Sequence, residues 1–573
     1  MESNYLKRSN RIYLRKVFRI KTIFYPVVLI LIKTGIASRI EKSINRVIKF
    51  FGIRKNFHYF IKYIDYGNWF KDKFRQDDKK YEGEILFPAM TGVHSNFTLL
   101  NLLFARYFNE RKNLLPVFYI CDSAFDICTK DGMVKSRKKY FWFCHECYKG
   151  YRYIEKMTGI DVERMRDKLK EYKDELVYER RKIECLTSLR ECEDYEYDGI
   201  KIGLLARKSV KRYFLAGRLE ASDEVLQVYR EFIFSGVAYG IAFKRTINER
   251  KNIRYVILNN GSLVFEAIAR EYCKRNGIPY ITYETYIGNN SLIYKKNGPV
   301  MDLDWSDEYK VFLKKFNMDD DCKRKVKQFF ENLRNGVEMY AVLNSEHSED
   351  FLAGTGRYAC LFTNLNYDTA VIDKNYLFAD MEDWIYRVIE YWKKNLPDLK
   401  LIIRVHPGEI KLVTATREYL GDKIKKAVAD DKNIIVVDST DKVSSYELIK
   451  SMEYGLIYSS TIGLEIAWSG KTCIVAGLPW FRHKPFVIYP ETVEDYFNYL
   501  EKLNNNTLDF SPDIEELYRT VYFVYYHRLK RLQGIKLYTP DEGPNTIYSN
   551  SDDMINNNLT FFEEFSNELF SAE

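Results

Sequence analysis

A strongly apolar segment that ends in polar residues runs through Leu399-Lys-Leu-Ile-Ile-Arg-Val-His-Pro-Gly-Glu409. Its length and apolar content predict a buried strand. Arg404, His406 and Glu409 then lie at or near the carboxyl end of that strand. An arginine can bind phosphate oxygens through two parallel hydrogen bonds, and a histidine can donate a hydrogen bond to a diphosphate. We therefore predict phosphate binding here, against the plainer alternative of an exposed loop with scattered charges.

A second cluster follows another predicted strand and reads Tyr458-Ser-Ser-Thr-Ile-Gly-Leu-Glu465. A helix is predicted to begin near Thr461, and the free N–H groups at the start of a helix attract anions. The hydroxyls of Ser459, Ser460 and Thr461 can add donors to a phosphate. Glu465 lies one helical turn further on, where it can accept hydrogen bonds from ribose hydroxyls. Ordinary capping of the helix would explain one hydroxyl, but not the combination with Glu465.

The same alternation of strand, turn and helix extends to both sides of these clusters. Such alternation is typical of parallel sheets with helices on their faces. Asp438 and Ser445 lie in the connection between one such strand and the next helix, where a nucleotide base could bind. Strands are predicted at residues 84–90, 114–121, 255–258, 278–283, 358–363, 399–405, 433–437, 455–458 and 473–476. Helices are predicted at residues 96–107, 144–181, 262–275, 381–394 and 446–452, and from about residue 461.

Two groups of strands, separated by a polar helical stretch at 305–355, predict an α/β protein with two tandem Rossmann-like domains. Ligands of open parallel sheets bind at the carboxyl ends of the strands, so the cleft between the two domains is the expected site. We expect a basic, partly amphipathic arm at residues 1–82, an N-terminal domain at 83–340, a C-terminal domain at 341–500 and a helical tail at 501–573.

The order of these motifs resembles that of the surface-carbohydrate and capsule-polysaccharide biosynthesis glycosyltransferases. In that family a strand ending in Arg-x-His-Pro-x-Glu precedes an Asp-Ser/Thr and Ser-Tyr segment, a Tyr-Ser-Ser-Thr-x-Gly-x-Glu turn and a Gly-Lys-x-x-x-Val-Ala-Gly strand. The resemblance covers about residues 84–500 and is looser in the N-terminal half. The matching segments are Arg404–Glu409, Asp438–Tyr446, Tyr458–Glu465 and Gly470–Gly477, and Asn364–Asp368 resembles the first loop of the family's C-terminal domain.

This resemblance implies the GT-B architecture, with a nucleotide sugar on the C-terminal domain and a glycan or lipid-linked acceptor on the N-terminal one. It also implies that protein donors stabilise the leaving diphosphate without an obligatory metal or other cofactor, which agrees with the residues above. An acceptor hydroxyl in an inverting enzyme needs a general base. His94 and Glu284 are the candidates, because both lie near predicted strand ends, although His94 can equally be a turn histidine bonded to the backbone. The family often has Asn-Gly-Arg and Glu-Arg-Gly where this chain has Asn259-Asn-Gly-Ser262 and Glu284-Thr-Tyr286.

Two other functions are consistent with the same pattern. One is a sugar-nucleotide epimerase or a polyol-phosphate transferase on the same kind of fold. An epimerase would convert a nucleotide sugar without any acceptor. The other is a non-catalytic scaffold on a membrane surface, in a polysaccharide assembly complex, whose donor site has decayed.

Positive charge is concentrated at the N-terminal end. Residues 1–64 contain fifteen Lys and Arg but only two acidic residues, and this net +13 exceeds the +9 of the whole chain, so the remainder is slightly acidic. That distribution argues against a nucleic-acid groove through the body of the protein. The apolar run Ile23–Ile32 is shorter than the roughly 20 residues of a membrane-spanning helix. We expect either contact with an anionic membrane surface or a helix packed on the body with solvated lysines.

The chain has ten cysteines and no convincing signal peptide. This favours reduced thiols and a cytoplasmic location, with the basic arm at the inner face of the membrane if it binds one. Cys121, Cys128, Cys144 and Cys147 fall within 27 residues, and the last two form a Cys-x2-Cys pair. Such a set can hold a structural zinc ion tetrahedrally. Free structural thiols are the simpler hypothesis, because the first pair is irregularly spaced.

Overall fold

The chain divides into two units, Met1–Lys62 and Tyr63–Glu573, and both sheets belong to the second. Most of the predicted basic arm and the predicted base His94 lie outside the described residues. Within the described part of the chain, no helix is long and apolar enough to cross a membrane. The computed structural model describes residues 56–75, 79–89, 95–129, 137–286, 290–335, 355–368, 371–411, 419–429, 431–537 and 544–571.

Strands and helices alternate through both halves of the second unit. The strands are β1 (Gly83–Pro88), β2 (Leu114–Ile120), β3 (Asp161–Arg164), β4 (Ile253–Asn259), β5 (Tyr280–Thr285), β6 (Ser291–Lys296), β7 (Tyr358–Phe362), β8 (Lys400–Arg404), β9 (Ile434–Val437), β10 (Tyr454–Ile457), β11 (Thr472–Val475), β12 (Lys530–Arg531), β13 (Ile535–Lys536) and β14 (Asn545–Thr546). The helices of the first half are α1 (Asn56–Trp69), α2 (Ser95–Arg111), α3 (Arg137–Thr158), α4 (Met165–Lys168), α5 (Lys173–Glu184), α6 (Leu189–Asp194), α7 (Ile202–Phe214), α8 (Asp223–Glu249), α9 (Val264–Arg275), α10 (Ser306–Leu313) and α11 (Asp320–Arg334). Those of the second half are α12 (Met381–Asn395), α13 (Gly408–Lys411), α14 (Leu420–Val428), α15 (Ser445–Ser451), α16 (Ile462–Trp468), α17 (Val493–Asn504), α18 (Ile514–Tyr522), α19 (Ser551–Asn556) and α20 (Leu559–Phe570).

Two sheets carry the fold. The larger has the order β12-β6-β5-β4-β1-β2-β3, in which β1 to β5 are parallel and β6 is antiparallel to both of its neighbours. The smaller has the order β11-β10-β7-β8-β9 and is wholly parallel. Numbered along the chain, the five parallel strands of each sheet follow the order 5-4-1-2-3, which is the Rossmann arrangement. The structure thus confirms the predicted α/β fold with two Rossmann-like sheets.

Both faces of each sheet are buried. In β1, Ile85 and Phe87 pack in one apolar cluster and Leu86 packs in another. In β7, Cys360 and Leu361 are divided between two clusters in the same way. Successive residues of a strand point to opposite faces, so a strand covered on both sides is a continuous apolar run. This is the pattern from which the central strands were predicted.

The edges of the larger sheet differ from the prediction. The strand β3 interrupts the helix predicted at 144–181, and its residues are all partly exposed because it lies at the edge. The strand β12 comes from the segment predicted as a helical tail, and its Lys530 pairs with Leu292 of β6. Farther along the same segment, the ring of Phe565 stacks on Phe104, with centroids 4.2 Å apart. The C-terminal segment is therefore built into the first half of the fold.

Candidate functional site

The two predicted clusters meet where the strand order of the smaller sheet reverses, between β7 and β10. The backbone N–H of His406 donates to Thr363 Oγ1 at 2.9 Å, and that of Ser459 donates to Asn364 Oδ1 at 3.3 Å. Thr363 and Asn364 are consecutive residues that follow β7 directly, so one short segment binds both clusters. Open α/β sheets hold their ligands at this reversal point, on the carboxyl edge.

His406 is held as a neutral hydrogen-bond donor. Its Nδ1 accepts the backbone N–H of Gly408 at 3.0 Å, so the proton of the neutral ring is on Nε2. Burial, and then the nearby Arg404 charge, lower the pKa of the imidazole to about 4. The ring therefore carries no charge at neutral pH, and its Nε2–H can donate to a phosphate oxygen.

Arg404 is buried at the end of β8 and braces the next connection. Its Nη1 donates to the backbone carbonyl of Asp438 at 2.5 Å, and its Nε has no hydrogen-bond partner among the described residues. Burial lowers the pKa of the guanidinium to about 10, although the nearby Asp441 and Asp438 oppose that change. Arg404 thus joins β8 to the residues after β9, and part of its guanidinium is already used within the protein.

Glu409, predicted to contact the donor, lies in the interior instead. It is fully buried, and its Oε2 accepts the N–H of Leu420 at the start of α14 at 3.1 Å. The residue before that helix, Tyr419, does not cap it with its side chain. Glu409, which is distant in sequence, instead accepts one of the free N–H groups of the first turn. Burial is the main cause that raises the pKa of Glu409 to about 8, and the neighbouring Asp438 adds to it.

Asp438 and Ser445 are also buried. The Asp438 carboxylate accepts the N–H of Ser439 at 2.6 Å and forms an ion pair with Lys425. Ser445 is the first residue of α15, whose cap is Ser444; the hydroxyl of Ser444 accepts the N–H of the second helical residue at 3.2 Å. The Asp438 carboxylate is therefore used to fix the connection after β9 rather than left open to a nucleotide base.

The segment after β10 keeps polar atoms that the protein does not use. The hydroxyl of Ser459 is buried without a hydrogen bond in the described part of the chain, and the Thr461 side chain does not cap the helix. Among the described residues, Ser460 Oγ makes only a long bond, 3.4 Å, from the N–H of Ile462. Because α16 has only seven residues, these hydroxyls matter more than a helix dipole.

Glu465 lies in the first turn of α16, six residues after Ser459. It is partly buried, and its Oε2 has no hydrogen-bond partner among the described residues. Burial raises the pKa of its carboxyl to about 7, against the opposite effects of the Tyr446 hydroxyl and Arg334. A carboxyl that is held partly out of water with one free oxygen is suited to accept a hydrogen bond from a ligand hydroxyl.

A small, partly open cavity lies against Tyr458, with about 20 Å³ of space that a water molecule can enter, and both halves of the fold line it. The first half contributes Lys211, near the end of α7, and Gly217. The second half contributes residues of the segment that follows β7, among them Asn366 and Asp373. The cavity occupies the cleft in which the sequence predicts the ligand.

Of the two predicted bases, only Glu284 falls on described residues. It lies near the end of β5, at the carboxyl edge of the larger sheet. Its Oε2 accepts from Asn260 Nδ2 at 2.9 Å, and its Oε1 accepts from the N–H of Thr285 at 3.0 Å. Asn260 follows β4 and has a φ of +44°, in the left-handed region. The carboxylate of Glu284 is thus held in place at the position where an acceptor is predicted.

The cysteines do not form a metal site within the described residues. No group of three or more His, Cys, Asp or Glu side chains there could hold a metal ion. Cys144 instead donates to Ser123 Oγ at 3.1 Å, and burial is the main cause that raises the pKa of the Cys121 thiol to about 12. This geometry does not support the zinc site predicted for Cys121, Cys128, Cys144 and Cys147.

Some residues at the site were not among the predicted contacts. Thr363 begins a largely polar segment, Thr363–Asp368, that directly follows an apolar strand. Arg404–Glu409 follows an apolar strand in the same way, so this pattern in the sequence could have identified Thr363. Lys211 and Asp373 had no such signal. They are far apart in sequence, and only the packing of α7 against the segment after β7 brings them together.

The chain matches no protein-family model and no curated protein. Among solved structures it is similar to KpsC, a beta Kdo 2,4 transferase of Thermosulfurimonas dismutans, with 13% identity, a TM-score of 0.34, and coverage of 53% of this chain and 88% of that one. It is also similar to KpsC, a beta Kdo 2,7 transferase of the same organism, with 11% identity, a TM-score of 0.30, and coverage of 56% of this chain and 89% of that one. A third similar structure is UDP-GlcNAc 2-epimerase from Neisseria meningitidis, bound to UDP-GlcNAc. It has 8% identity and a TM-score of 0.22, and the match covers 77% of this chain and 99% of that one. At these values the similarity assigns no activity, and the interpretation of the site rests on its own residues.

Proposed function

We propose that this protein is a glycosyltransferase that moves a sugar from a nucleotide-sugar donor to a surface-polysaccharide or lipid-linked acceptor. One observation carries the proposal. The segment after β7 binds the backbones of both His406 and Ser459 at the reversal point of a Rossmann-ordered sheet, and Ser459 Oγ and Glu465 Oε2 have no hydrogen-bond partner among the described residues. Hydrogen-bond donors beside a carboxyl with a free oxygen match a diphosphate joined to a ribose, which is the shared part of nucleotide sugars.

In this proposal the donor diphosphate is bound by neutral groups. The Nε2–H of His406 and the hydroxyls of Ser459, Ser460 and Thr461 donate to phosphate oxygens, while Glu465 accepts from the ribose. As the sugar leaves, negative charge grows on the diphosphate, and fixed donors in a site shielded from water stabilise that charge. This assigns catalysis to protein donors and requires no metal ion. Glu284 and His94 remain the candidate bases for the acceptor hydroxyl.

Binding of nucleotides tests the donor site. We expect the full chain to be stabilised against heat by at least one nucleotide or nucleotide sugar of a panel based on UDP, GDP, CMP and dTDP, because a ligand of the folded state raises apparent stability. His406→Ala and Glu465→Ala should each weaken that binding. The exposed Glu390→Ala, on α12 away from these motifs, is the control and should leave it unchanged. Equal binding by all variants would contradict the proposal.

Product analysis separates the transferase from the epimerase. The most strongly bound nucleotide sugar is incubated with and without glycan and lipid-phosphate acceptors. A transferase releases free nucleotide in proportion to a glycosylated acceptor, whereas an epimerase changes the sugar without any acceptor.

Contact of the basic arm with a membrane is a separate proposal. Anionic liposomes should pellet the full chain, and a chain that lacks residues 1–64 should stay in the supernatant.

A further inference from the structure

One carboxylate in the cleft faces three cations of α7. Asp373 lies 2.9 Å from Arg207 Nη2, 3.6 Å from Lys208 Nζ and 4.0 Å from Lys211 Nζ, measured from its nearer oxygen. A second carboxylate, Glu193, lies 3.4 Å from Arg207. Three cations share two carboxylates, so the group carries one positive charge in excess.

Lys211 holds this excess charge. Arg207 alone of the three donates a hydrogen bond to Asp373, and Lys211 alone of the three lines the cavity. The Lys211 side chain is only 15% exposed, and its Nζ makes no hydrogen bond within the residues that the structure describes. An ammonium group has three donors, and one shielded from water needs acceptors close by.

The other acids on the cavity wall are neutralised by their own partners. Asp380 pairs with Arg218 at 2.8 Å, and Glu382 pairs with Lys423 at 3.3 Å. Both carboxylates also belong to the start of α12, where Asp380 accepts the N–H of the third helical residue. These pairs leave the ammonium of Lys211 as the charge that a ligand in the cavity would meet.

The position of the cavity indicates which part of a substrate it receives. Tyr458 lines it, and Ser459 is the next residue in the proposed diphosphate site. Tyr458 is also fixed there, since its hydroxyl donates to Asn375 Oδ1 at 2.9 Å on the same wall. A group attached to the diphosphate, or one that attacks it, would therefore occupy this cavity. Asn366 adds a buried carbonyl oxygen that has no hydrogen-bond partner in the described ranges and can accept from a ligand hydroxyl.

We infer that the cavity binds a monoanionic group, a carboxylate or a phosphate, through an ion pair with Lys211. The inference rests on the proposed function, because it places this anion beside the donor diphosphate. Two sources share the chemistry. The anion is either a carboxylate of the donor's sugar or a phosphate of the acceptor.

The test compares acidic and neutral ligands on the full chain by calorimetry. The probes are UDP-glucuronate against UDP-glucose, and glycerol phosphate added with and without saturating UDP. If the donor supplies the anion, UDP-glucuronate should bind about 10- to 100-fold more tightly than UDP-glucose, as expected for a hydrogen bond to a charged group. If the acceptor supplies it, glycerol phosphate should bind and UDP-glucuronate should bind no more tightly than UDP-glucose.

Variants of α7 assign the effect to Lys211. Lys211→Met should abolish the preference for the anion, and Lys211→Arg should restore most of it. Lys201→Met removes the same charge at the exposed residue just before α7, outside the Asp373 cluster, so it is the control and should keep the preference. Thermal unfolding of each variant identifies any that fail to fold.

Failure of this inference can be told apart from failure of the proposed function. If UDP binds but the wild type and Lys211→Met treat every anionic probe alike, the inference is overturned and the donor site stands. If no nucleotide binds, the proposed function fails. In that case glycerol phosphate alone decides the inference: binding that Lys211→Met loses supports an anion site, and binding that is absent or unchanged overturns it.

Discussion

Replacing Glu409 by glutamine should make the protein more stable in mild alkali and leave its stability nearly unchanged in acid. The carboxyl is fully buried, and its pKa is raised from 4.5 to about 8, chiefly by burial. The folded state therefore keeps a proton that the unfolded chain releases between these two values. Stability from this group is complete below about pH 4.5 and is lost as the pH rises through 8. Glutamine carries no charge to bury, so the variant avoids that loss.

The difference between the two pKa values sets the upper limit of the effect. At 1.36 kcal/mol per pKa unit it corresponds to roughly 5 kcal/mol above pH 8. A chain of this size has an unfolding entropy of about 1 kcal/mol per kelvin, so the rise in Tm is at most about 5 °C. The amide oxygen can still accept the N–H of Leu420, which the carboxylate accepts at 3.1 Å. The glutamine NH₂ then replaces the carboxylate oxygen for which the described part of the chain offers no partner.

Thermal unfolding of the wild type and of Glu409→Gln at about pH 5, 7 and 9 measures the effect. Glu390→Gln, at an exposed position of α12, controls for the general effect of removing one negative charge. We also expect Glu409→Gln to bind nucleotides as the wild type does, because this carboxyl faces α14. A loss of Tm that is the same at every pH, or a tenfold loss of nucleotide affinity with an unchanged Tm, would refute the reasoning and return Glu409 to the donor site.

Three further predictions concern the site. His406→Gln should weaken nucleotide binding about 10-fold, and wild-type binding should show no histidine titration between about pH 5.5 and 8, because a pKa of about 4 keeps the ring neutral. Calorimetry measures the first. The second is measured across that range in Glu465→Gln, because the pKa of the Glu465 carboxyl is itself raised to about 7, and a midpoint near 6.5 in that variant would contradict it. Glu465→Gln should weaken binding of the preferred ribonucleotide more than that of its 2′-deoxy form; equal losses would argue against a ribose contact. Gly477→Ala should lower the free energy of unfolding by about 1–3 kcal/mol, because its Cβ would lie 2.9 Å from the carbonyl oxygen of Tyr458. Gly298→Ala meets only a flexible side chain at 3.1 Å and should cost less in a denaturant titration, so equal losses would be evidence against that cause.

The central strands could be predicted because burial on both faces leaves a clear pattern in the sequence. The strands β7, β8 and β10 lie within about two residues of their predicted positions, and their ends place His406 and Ser459 correctly on one edge. Edge strands have no such pattern. The four residues of β3 are partly exposed, and β12 has only two residues, so neither shows an apolar run or a regular alternation.

The direction in which polar side chains point could not be predicted. Glu409 and His406 are three residues apart in one motif, yet the carboxyl binds α14 while the imidazole leaves Nε2 for a ligand. The motif specifies residue types, but only the packing of α14 decides which of them is buried. Lys211 illustrates the same limit over a longer distance, because its helix lies in the other half of the fold.

The predicted donor-binding residues therefore separate into a frame and a contact set. Arg404, Glu409 and Asp438 are buried, and the side chain of each makes a hydrogen bond to a backbone group. These bonds hold the connections after β8 and β9 in place. His406 and Ser459 lie on that frame and keep unused atoms. Truncation of a frame residue to alanine leaves a buried partner unsatisfied, which lowers stability and distorts the site together, whereas an isosteric change such as Glu409→Gln keeps the bond. Substitution of a contact residue removes only a bond to the ligand. Loss of nucleotide binding in an Arg404 variant would consequently say little about donor contact unless its stability were intact, whereas the same loss in a stable His406 variant would locate the ligand.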